Sequence, residues 1–115
     1  MTNQINENLP EKTCSIERLV TIEADVERVL NGEKTATRRN GVYAYPGEVM
    51  VLKEQEFKVD ALYSQTLGEM TDEHAKTEGY ANMEDYKQSI LALHPKMPWI
   101  PKMSVWVHEF SPVKK

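Results

Sequence analysis

The sequence contains a single cysteine, Cys14, in 115 residues. An internal disulfide is therefore excluded, and so is a metal site built from several cysteine thiolates. We interpret Cys14 as an incidental thiol beside a polar N-terminal segment. Long apolar runs are also missing, since no hydrophobic segment approaches the roughly 20 residues that a transmembrane helix needs. The sequence predicts no membrane-spanning helix and no membrane partner.

Positive charge is scarce as well. The chain has 14 Lys and Arg against 18 Asp and Glu, which gives a net charge of −4. A protein that holds duplex nucleic acid through its phosphates usually shows the opposite balance, so any basic surface here must be local. The N-terminal segment lacks both the basic start and the apolar stretch of a signal peptide. We therefore predict a cytoplasmic location.

The length of the chain supports one modest hydrophobic core and hence one domain. Residues 1–14 are rich in Asn, Gln and Glu and predict a flexible N-terminal arm. Residues 15–115 carry the apolar periodicity and are predicted to form a single folded domain.

The spacing of the apolar residues changes along the domain and predicts an α+β fold. The segment 16–20 fits a helix or a strand equally well. The order of strands and helices, with short strands, favours a strongly curved sheet or small β-barrel with helices packed outside. The predicted helices lie near 23–31, 72–78 and 83–93, and the predicted strands at 47–53, 56–64 and 103–110.

The segment GEKTATRRNG, residues 32–41, is the densest basic stretch of this acidic chain. Asn31-Gly32 before it is typical of a helix end, and Asn40-Gly41 at its end is typical of a hairpin turn. Only a short extended segment fits between two turns. We therefore single out four of its residues as site candidates: Lys34, Thr37, Arg38 and Arg39.

Residue type alone also allows ordinary structural roles for these candidates. Lys34 fits a solvated lysine at a helix end, Glu78 a solvated helix residue, and Thr37 a strand. In a straight strand Lys34 and Thr37 face opposite sides, so they converge only if the chain bends between them. Tyr43 and Trp99 lie on predicted loops, where aromatic rings either stack on a nucleobase or pack locally.

The histidines show no spacing that would hold a metal ion, and we predict no metal and no cofactor. His74 is expected to cap or pack within its helix, and His108 lies in a predicted strand. His94 precedes a proline-rich loop.

Three sequence blocks, in order, resemble the ASCH domain family, a small β-barrel superfamily related to PUA RNA-binding domains. The family pattern is a helix, a G-x-K-T-x-T-x-R segment, a P-G turn into a strand, a T-x-x-H-A-x-x-E-G/N helix and a closing strand. The resemblance covers roughly residues 22 to 110 and implies a PUA-like β-barrel with helices packed outside. The blocks are LNGEKTATRRNGVYAYPGEVMVL, LGEMTDEHAKTEGYANMEDYKQSILALHP and VWVHEF.

One branch of this family comprises bacterial N4-acetylcytidine amidohydrolases, small monomeric enzymes that deacetylate the exocyclic nitrogen of cytosine compounds. The resemblance implies a metal-independent amidohydrolase with Lys34, Thr37 and Glu78 as catalytic residues, acting as a monomer on a nucleoside or nucleobase. Arg39 occupies the position of the family's arginine, whereas Ala36 and Arg38 stand where that branch has aliphatic residues. The substrate-binding candidates are Arg39, Arg38, Tyr43 and Trp99.

These residue types suit amide hydrolysis. Thr37 is the candidate nucleophile, Lys34 the base that activates it, and Glu78 the acid for the leaving nitrogen. We expect Arg39 to bind substrate or serve the structure and Arg38 to lie in solvent. Two other functions use the same cleft: a PUA-like RNA-binding module and, with weaker support because no histidine pair suggests itself, a ribonuclease.

Overall fold

The computed structural model describes residues 11–93, 95–96 and 98–113. A 3-10 turn at Ile16–Arg18 precedes the first helix, which resolves the ambiguity of that segment, and another at Leu67–Glu69 follows the longest strand. The remaining elements in chain order are α1 (Glu23–Leu30), β1 (Ala36–Arg39), β2 (Val49–Leu52), β3 (Gln55–Thr66), α2 (Asp72–Thr77), α3 (Met83–Leu93) and β4 (Ser104–Pro112).

The four strands form one antiparallel sheet in the order β1-β4-β3-β2. The sheet curls into a half-barrel accompanied by three helices, and the predicted α+β, PUA-like fold is confirmed. A register shift between Val59 and Ala61 adds a residue to β3, and such bulges increase the local twist of a sheet. The closing strand β4 is central and β1 lies at an edge, where its side chains can border a cavity.

The hairpin turn predicted at Asn40-Gly41 is wrong. β1 pairs with β4, for example Thr37 with His108, and residues 40–48 connect β1 to β2 without a strand. The tight hairpin lies instead at Lys53 and Glu54, which join β2 to β3 with φ of 48° and 74°. Positive φ normally favours Gly or Asn, so residue type did not indicate this turn.

The predicted helix boundaries rest on local capping. Asn31 ends α1, and Gly32 follows it with φ of 81°. At the start of α2 the backbone N–H of Thr71 donates to Nδ1 of His74 at 3.0 Å, so His74 caps its helix as expected. Asn82 Oδ1 accepts the backbone N–H of Asp85 at 2.9 Å before α3.

The hydrophobic core of the described residues consists of two clusters. One cluster joins α1 to strands β2, β3 and β4, and its buried members are Leu19, Val20, Val26, Val29, Met50, Leu52, Phe57 and Phe110. The other joins α2 and α3 to β4, and its buried members are Leu67, Met70, Ala75, Tyr86 and Val105. Trp106 of β4 is half-buried.

Residues next to the start of the described chain contact the domain. The backbone N–H of Thr13 donates to the carbonyl of Val42 at 2.9 Å, and Lys12 forms an ion pair with Glu48 at 2.6 Å. Residues 1–10 of the predicted arm lie outside the described residues, so the arm and its boundary stay predictions. Among the described helices, none has the length and apolar character needed to cross a membrane.

Candidate active site

A cavity of about 260 Å³ opens beside edge strand β1. Its walls include every residue proposed from the sequence as catalytic or substrate-binding: Lys34, Thr37, Arg38, Arg39, Tyr43, Glu78 and Trp99. The tertiary structure therefore brings the whole candidate set to one place.

Lys34 and Thr37 meet at the cavity because the chain bends before β1 begins. The backbone N–H of Lys34 donates to the carbonyl of Arg28 at 3.0 Å, which holds Lys34 against the end of α1. Strand β1 starts two residues later, at Ala36. Strand alternation therefore does not govern the relative directions of Lys34 and Thr37. Both side chains are buried and line the same cavity.

Glu78 forms a buried ion triad with two cations. Its Oε1 accepts a hydrogen bond from Lys34 Nζ at 2.6 Å, and its Oε2 accepts one from Arg38 Nη1 at 2.8 Å. The side chains of Lys34 and Glu78 are each 4% exposed, and that of Arg38 is 2% exposed. Burying a charge is costly unless it is paired and hydrogen-bonded. In this triad every charged group is hydrogen-bonded to a group of opposite charge. The triad has a net charge of one positive unit.

Arg38 is buried, so the expectation that it lies in solvent is wrong. Its Nε donates to Gln65 Oε1 at 2.9 Å, and its Nη1 donates to Glu78. A guanidinium tolerates burial when its planar N–H groups meet such acceptors. Arg38 therefore links β1 to β3 and to the end of α2, and it orients the Glu78 carboxylate.

The end of α2 positions Glu78. Glu78 is the C-cap residue, its backbone N–H donates to Ala75 and Lys76 carbonyls, and Gly79 follows with φ of 93°. A carboxylate at a helix C-terminus faces the negative end of the helix dipole. The cations Lys34 and Arg38 offset that repulsion, which explains why an acidic residue is stable at this place.

Thr37 is a buried residue of the cavity wall. Thr37 is 4% exposed, and its Oγ1 makes no hydrogen bond to any residue in the described part of the chain. A buried hydroxyl usually has a partner, so one that faces a cavity is free to bond to a ligand. Thr37 lies opposite His108 in the β1–β4 register.

His108 holds the loop that follows β1. Its Nε2 accepts the backbone N–H of Tyr43 at 3.1 Å, so the ring is neutral with its proton on Nδ1. Nδ1 is buried and makes no hydrogen bond of good geometry to the described residues. Burial lowers the pKa of His108 to about 4, and backbone groups of Thr37 and Trp106 oppose the shift only in part. His108 thus places Tyr43 in the cavity wall as a neutral acceptor.

Arg39, which also lines the cavity, is fixed by two contacts. Its Nε and Nη2 donate to the Leu19 carbonyl at 3.2 and 2.6 Å. Its guanidinium carbon lies 5.6 Å from the centre of the Tyr43 ring, within the range of a cation–π contact.

Aromatic side chains form part of the cavity wall. Tyr86 contacts Tyr80 and Trp99 edge-to-face, with ring centroids 5.6 and 6.3 Å apart. Burial, and secondarily the charge of Glu78, raise the pKa of the Tyr86 hydroxyl above its usual range, so it stays a donor. Sequence reasoning singled out neither Tyr86 nor Gln65 as a site residue. Tyr86 lies on the predicted helix 83–93, but nothing local to Gln65 indicated a partner for Arg38.

A metal site is not formed by the described residues, because no three His, Cys, Asp or Glu side chains among them cluster. His94 lies outside the described residues. The cavity holds three cations and two carboxylates, and both carboxylates are already paired with cations, which is a poor set for a divalent ion.

Comparison with known proteins supports the fold but no particular activity. No protein-family model matches the chain, and no curated protein matches it. The ASCH domain of Lactobacillus crispatus JV V101 superposes with a TM-score of 0.68 at 11% identity, over 97% of this chain and 86% of that one. A protein of Enterococcus faecalis V583 with the family model DUF984 superposes with a TM-score of 0.59 at 12% identity, over 96% and 82%. The chain has an ASCH-like fold, as the sequence resemblance predicted.

Proposed function

We propose that this ASCH-like domain is a small, metal-independent amidohydrolase that deacylates N4-acetylcytidine and related N4-acylated cytosine compounds. The observation that carries the proposal is the contact of Lys34 Nζ with Glu78 Oε1 at 2.6 Å in a cavity that Thr37 also lines. A module that only binds needs positive charge and stacking surfaces. Binding alone does not require a buried carboxylate that is hydrogen-bonded to a lysine in a cavity with a free hydroxyl.

The proposed reaction begins with a proton relay. The Lys34 ammonium passes a proton to Oε1 of Glu78, and the resulting neutral amine takes the hydroxyl proton of Thr37 as Oγ1 bonds to the acyl carbon. A negative tetrahedral intermediate forms. The positive charge of Arg38, which does not change during the relay, stabilises that intermediate.

The intermediate collapses when Glu78 donates its proton to the exocyclic nitrogen of the cytosine, and the carbon–nitrogen bond breaks. A water molecule then attacks the acyl-threonine ester while the same relay removes its proton. Glu78 returns a proton to Thr37 Oγ1, and the carboxylic acid leaves. Lys34, Thr37 and Glu78 end in their starting protonation states, so the cycle is balanced.

The cavity suits a small substrate. Its volume of about 260 Å³ lies just below the roughly 300–1,000 Å³ of typical ligand pockets, which suits a single small ligand such as an acylated base. The aromatic wall of Tyr80, Tyr86 and Trp99 offers a face for a pyrimidine ring. A chain of net charge −4 favours one nucleoside over a long phosphate polymer. We also propose that it acts as a monomer in the cytoplasm.

The direct test is incubation of the pure protein with N4-acetylcytidine and chromatographic detection of cytidine and acetate. Activity is expected to survive dialysis against EDTA, because the donor set at the cavity does not suit a metal. Loss of activity in EDTA with recovery on adding zinc or manganese would contradict the mechanism and implicate residues such as His94.

An RNA-binding function of the same cavity is the competing outcome. It predicts no turnover of acetylated cytosine, cytidine or deoxycytidine, together with RNA binding that weakens steeply as salt concentration rises. The same assays with an RNA oligonucleotide therefore distinguish the two functions.

A further inference from the structure

The charges that line the cavity do not balance. Three cations, Lys34, Arg38 and Arg39, face two carboxylates, Asp25 and Glu78. The Asp25 carboxylate is already paired with Arg28 at 3.1 Å, so it does not offset the cavity's cations. Glu78 offsets one of the two cations that it contacts.

Arg39 contributes a second uncompensated charge. Within the described part of the chain it forms no ion pair, and its only hydrogen-bond acceptor is the Leu19 carbonyl. That carbonyl uses two of the five N–H donors of the guanidinium, so the others are free for a ligand. The carbonyl and the Tyr43 ring fix the side chain before any ligand arrives, which reduces the entropy lost on binding.

Two excess positive charges at one cavity are unusual in a chain of net charge −4. A phosphate monoester carries about −1.5 to −2 charges near neutral pH and therefore interacts more strongly with these cations than a singly charged anion does. A carboxylate carries a single charge and leaves part of the excess uncompensated. The planar guanidinium also suits the oxygens of a phosphate, which it can bind through two parallel N–H groups.

The position of Arg39 fits a ligand that reaches Thr37. The two residues lie two positions apart in β1, on the same face of the strand and about 7 Å apart between Cα atoms. A ligand with its amide at Thr37 can therefore extend along β1 towards the Arg39 guanidinium.

We propose that the substrate is an N4-acylated cytosine nucleotide and that Arg39 binds its terminal phosphate monoester. This inference rests on the proposed amidohydrolase function and deepens it, since it replaces the free nucleoside, expected from the resemblance, by the nucleotide as the preferred form.

Isothermal titration of the full-length protein with cytidine and with cytidine 5′-monophosphate at fixed ionic strength tests the inference. The nucleotide is expected to bind roughly ten- to a hundredfold more tightly, the usual worth of hydrogen bonds to a charged group. Arg39→Gln should remove this preference by weakening nucleotide binding much more than cytidine binding. Lys58→Gln is the matched control, because it removes the same charge from an exposed position of β3 outside the cavity and should keep the preference.

Arg39→Lys provides a second variant in case Arg39→Gln does not fold. It keeps the charge but loses the planar fork, so the preference should fall without vanishing. Inorganic phosphate should compete with the nucleotide, and acetate at the same ionic strength should compete much less. Equal affinity of the wild type for cytidine and its 5′-monophosphate overturns the inference. Equal weakening of both ligands by Arg39→Gln, or equal competition by acetate, also overturns it.

Failure of the inference differs from failure of the proposed function. If N4-acetylcytidine is hydrolysed and the phosphate gives no preference, the enzyme stands and the phosphate site is wrong. If the phosphate binds through Arg39 but neither acylated nucleoside nor nucleotide is hydrolysed, the anion site stands and the amidohydrolase is wrong.

Discussion

Lys34 Nζ and Glu78 Oε1 lie 2.6 Å apart although 44 positions separate the two residues in the chain. Each side chain is 4% exposed, so bulk salt screens the pair very little. The same hydrogen bond joins the segment before β1 to the end of α2 and belongs to the proposed proton relay. Substitutions here therefore affect both stability and turnover, and each experiment must measure both.

Lys34→Ala should abolish turnover of N4-acetylcytidine, because it removes the only base proposed for Thr37. The Glu78 carboxylate keeps its hydrogen bond to Arg38. The variant should therefore lose less than the roughly 3–5 kcal/mol typical of breaking a buried pair. Chromatographic assays and urea unfolding check the two effects, with exposed Lys58→Ala as control. Turnover within tenfold of wild type would contradict the role of Lys34.

Thr37→Val should separate activity from stability most cleanly. The two side chains have nearly the same shape, and the lost hydroxyl makes no hydrogen bond to the described residues. We expect the free energy of unfolding to change by less than about 1 kcal/mol and turnover to disappear. Thr37→Ser keeps a hydroxyl and should retain part of the activity. A fully active Thr37→Val protein would show that a water molecule, and not Thr37, attacks the amide.

Glu78→Gln should reduce turnover and stability together, while substrate binding stays largely intact. The neutral amide cannot relay a proton, and it leaves Lys34 and Arg38 as buried cations without a counter-charge, at a cost of about 3–5 kcal/mol. Adding Arg38→Met to Glu78→Gln removes one of those cations. The double variant should be more stable than the sum of the single effects predicts, with a coupling of roughly 1–3 kcal/mol measured by denaturant unfolding. Strict additivity would mean that Arg38 and Glu78 do not interact in solution.

Stability should depend on the ionisation of His108. Burial lowers its pKa from 6.5 to about 4, so between these values the unfolded chain binds a proton that the folded chain does not. The free energy of unfolding should therefore fall as the pH drops from about 6.5 to about 4, by roughly 3 kcal/mol from this group. His108→Gln lacks that titration, and the difference between wild type and variant should shrink towards pH 4. A difference that stays constant over this range would rule out a neutral buried His108.

Local patterns predicted most of the elements because the forces that select them act over a few residues. The apolar spacing of α3 and the caps Thr71 and Asn82 belong to their own helices, so the chain segment contains the whole signal. The turn at Asn40-Gly41 was mispredicted because residue type can indicate a turn but does not determine which strand pairs with β1. β1 finds its partner in β4, about 70 positions later.

The hairpin at Lys53 and Glu54 shows the opposite case. Neither residue is typical of positive φ, and only the folded chain presents Glu23 and Glu27 of α1 to the Lys53 ammonium. Exposed pairs of this kind contribute little each, so the strands themselves must hold the turn closed. Neither the ion pairs of Lys53 nor the strand pairing can be predicted from the residues of the turn alone.

The candidate residues were recognisable from the order of the sequence blocks and from the concentration of cations in 32–41, both of which are properties of the linear chain. The burial of those residues and their hydrogen-bond partners were not recognisable from the sequence. Whether Arg38 is solvated or buried depends on acceptors from Gln65 and Glu78, which lie 27 and 40 positions away. Charge is stable in the interior only when such partners arrive together, and packing of α2 beside edge strand β1 is what brings them there. The ion triad and the excess positive charge at Arg39 are consequences of that packing, because no segment of the chain contains them by itself.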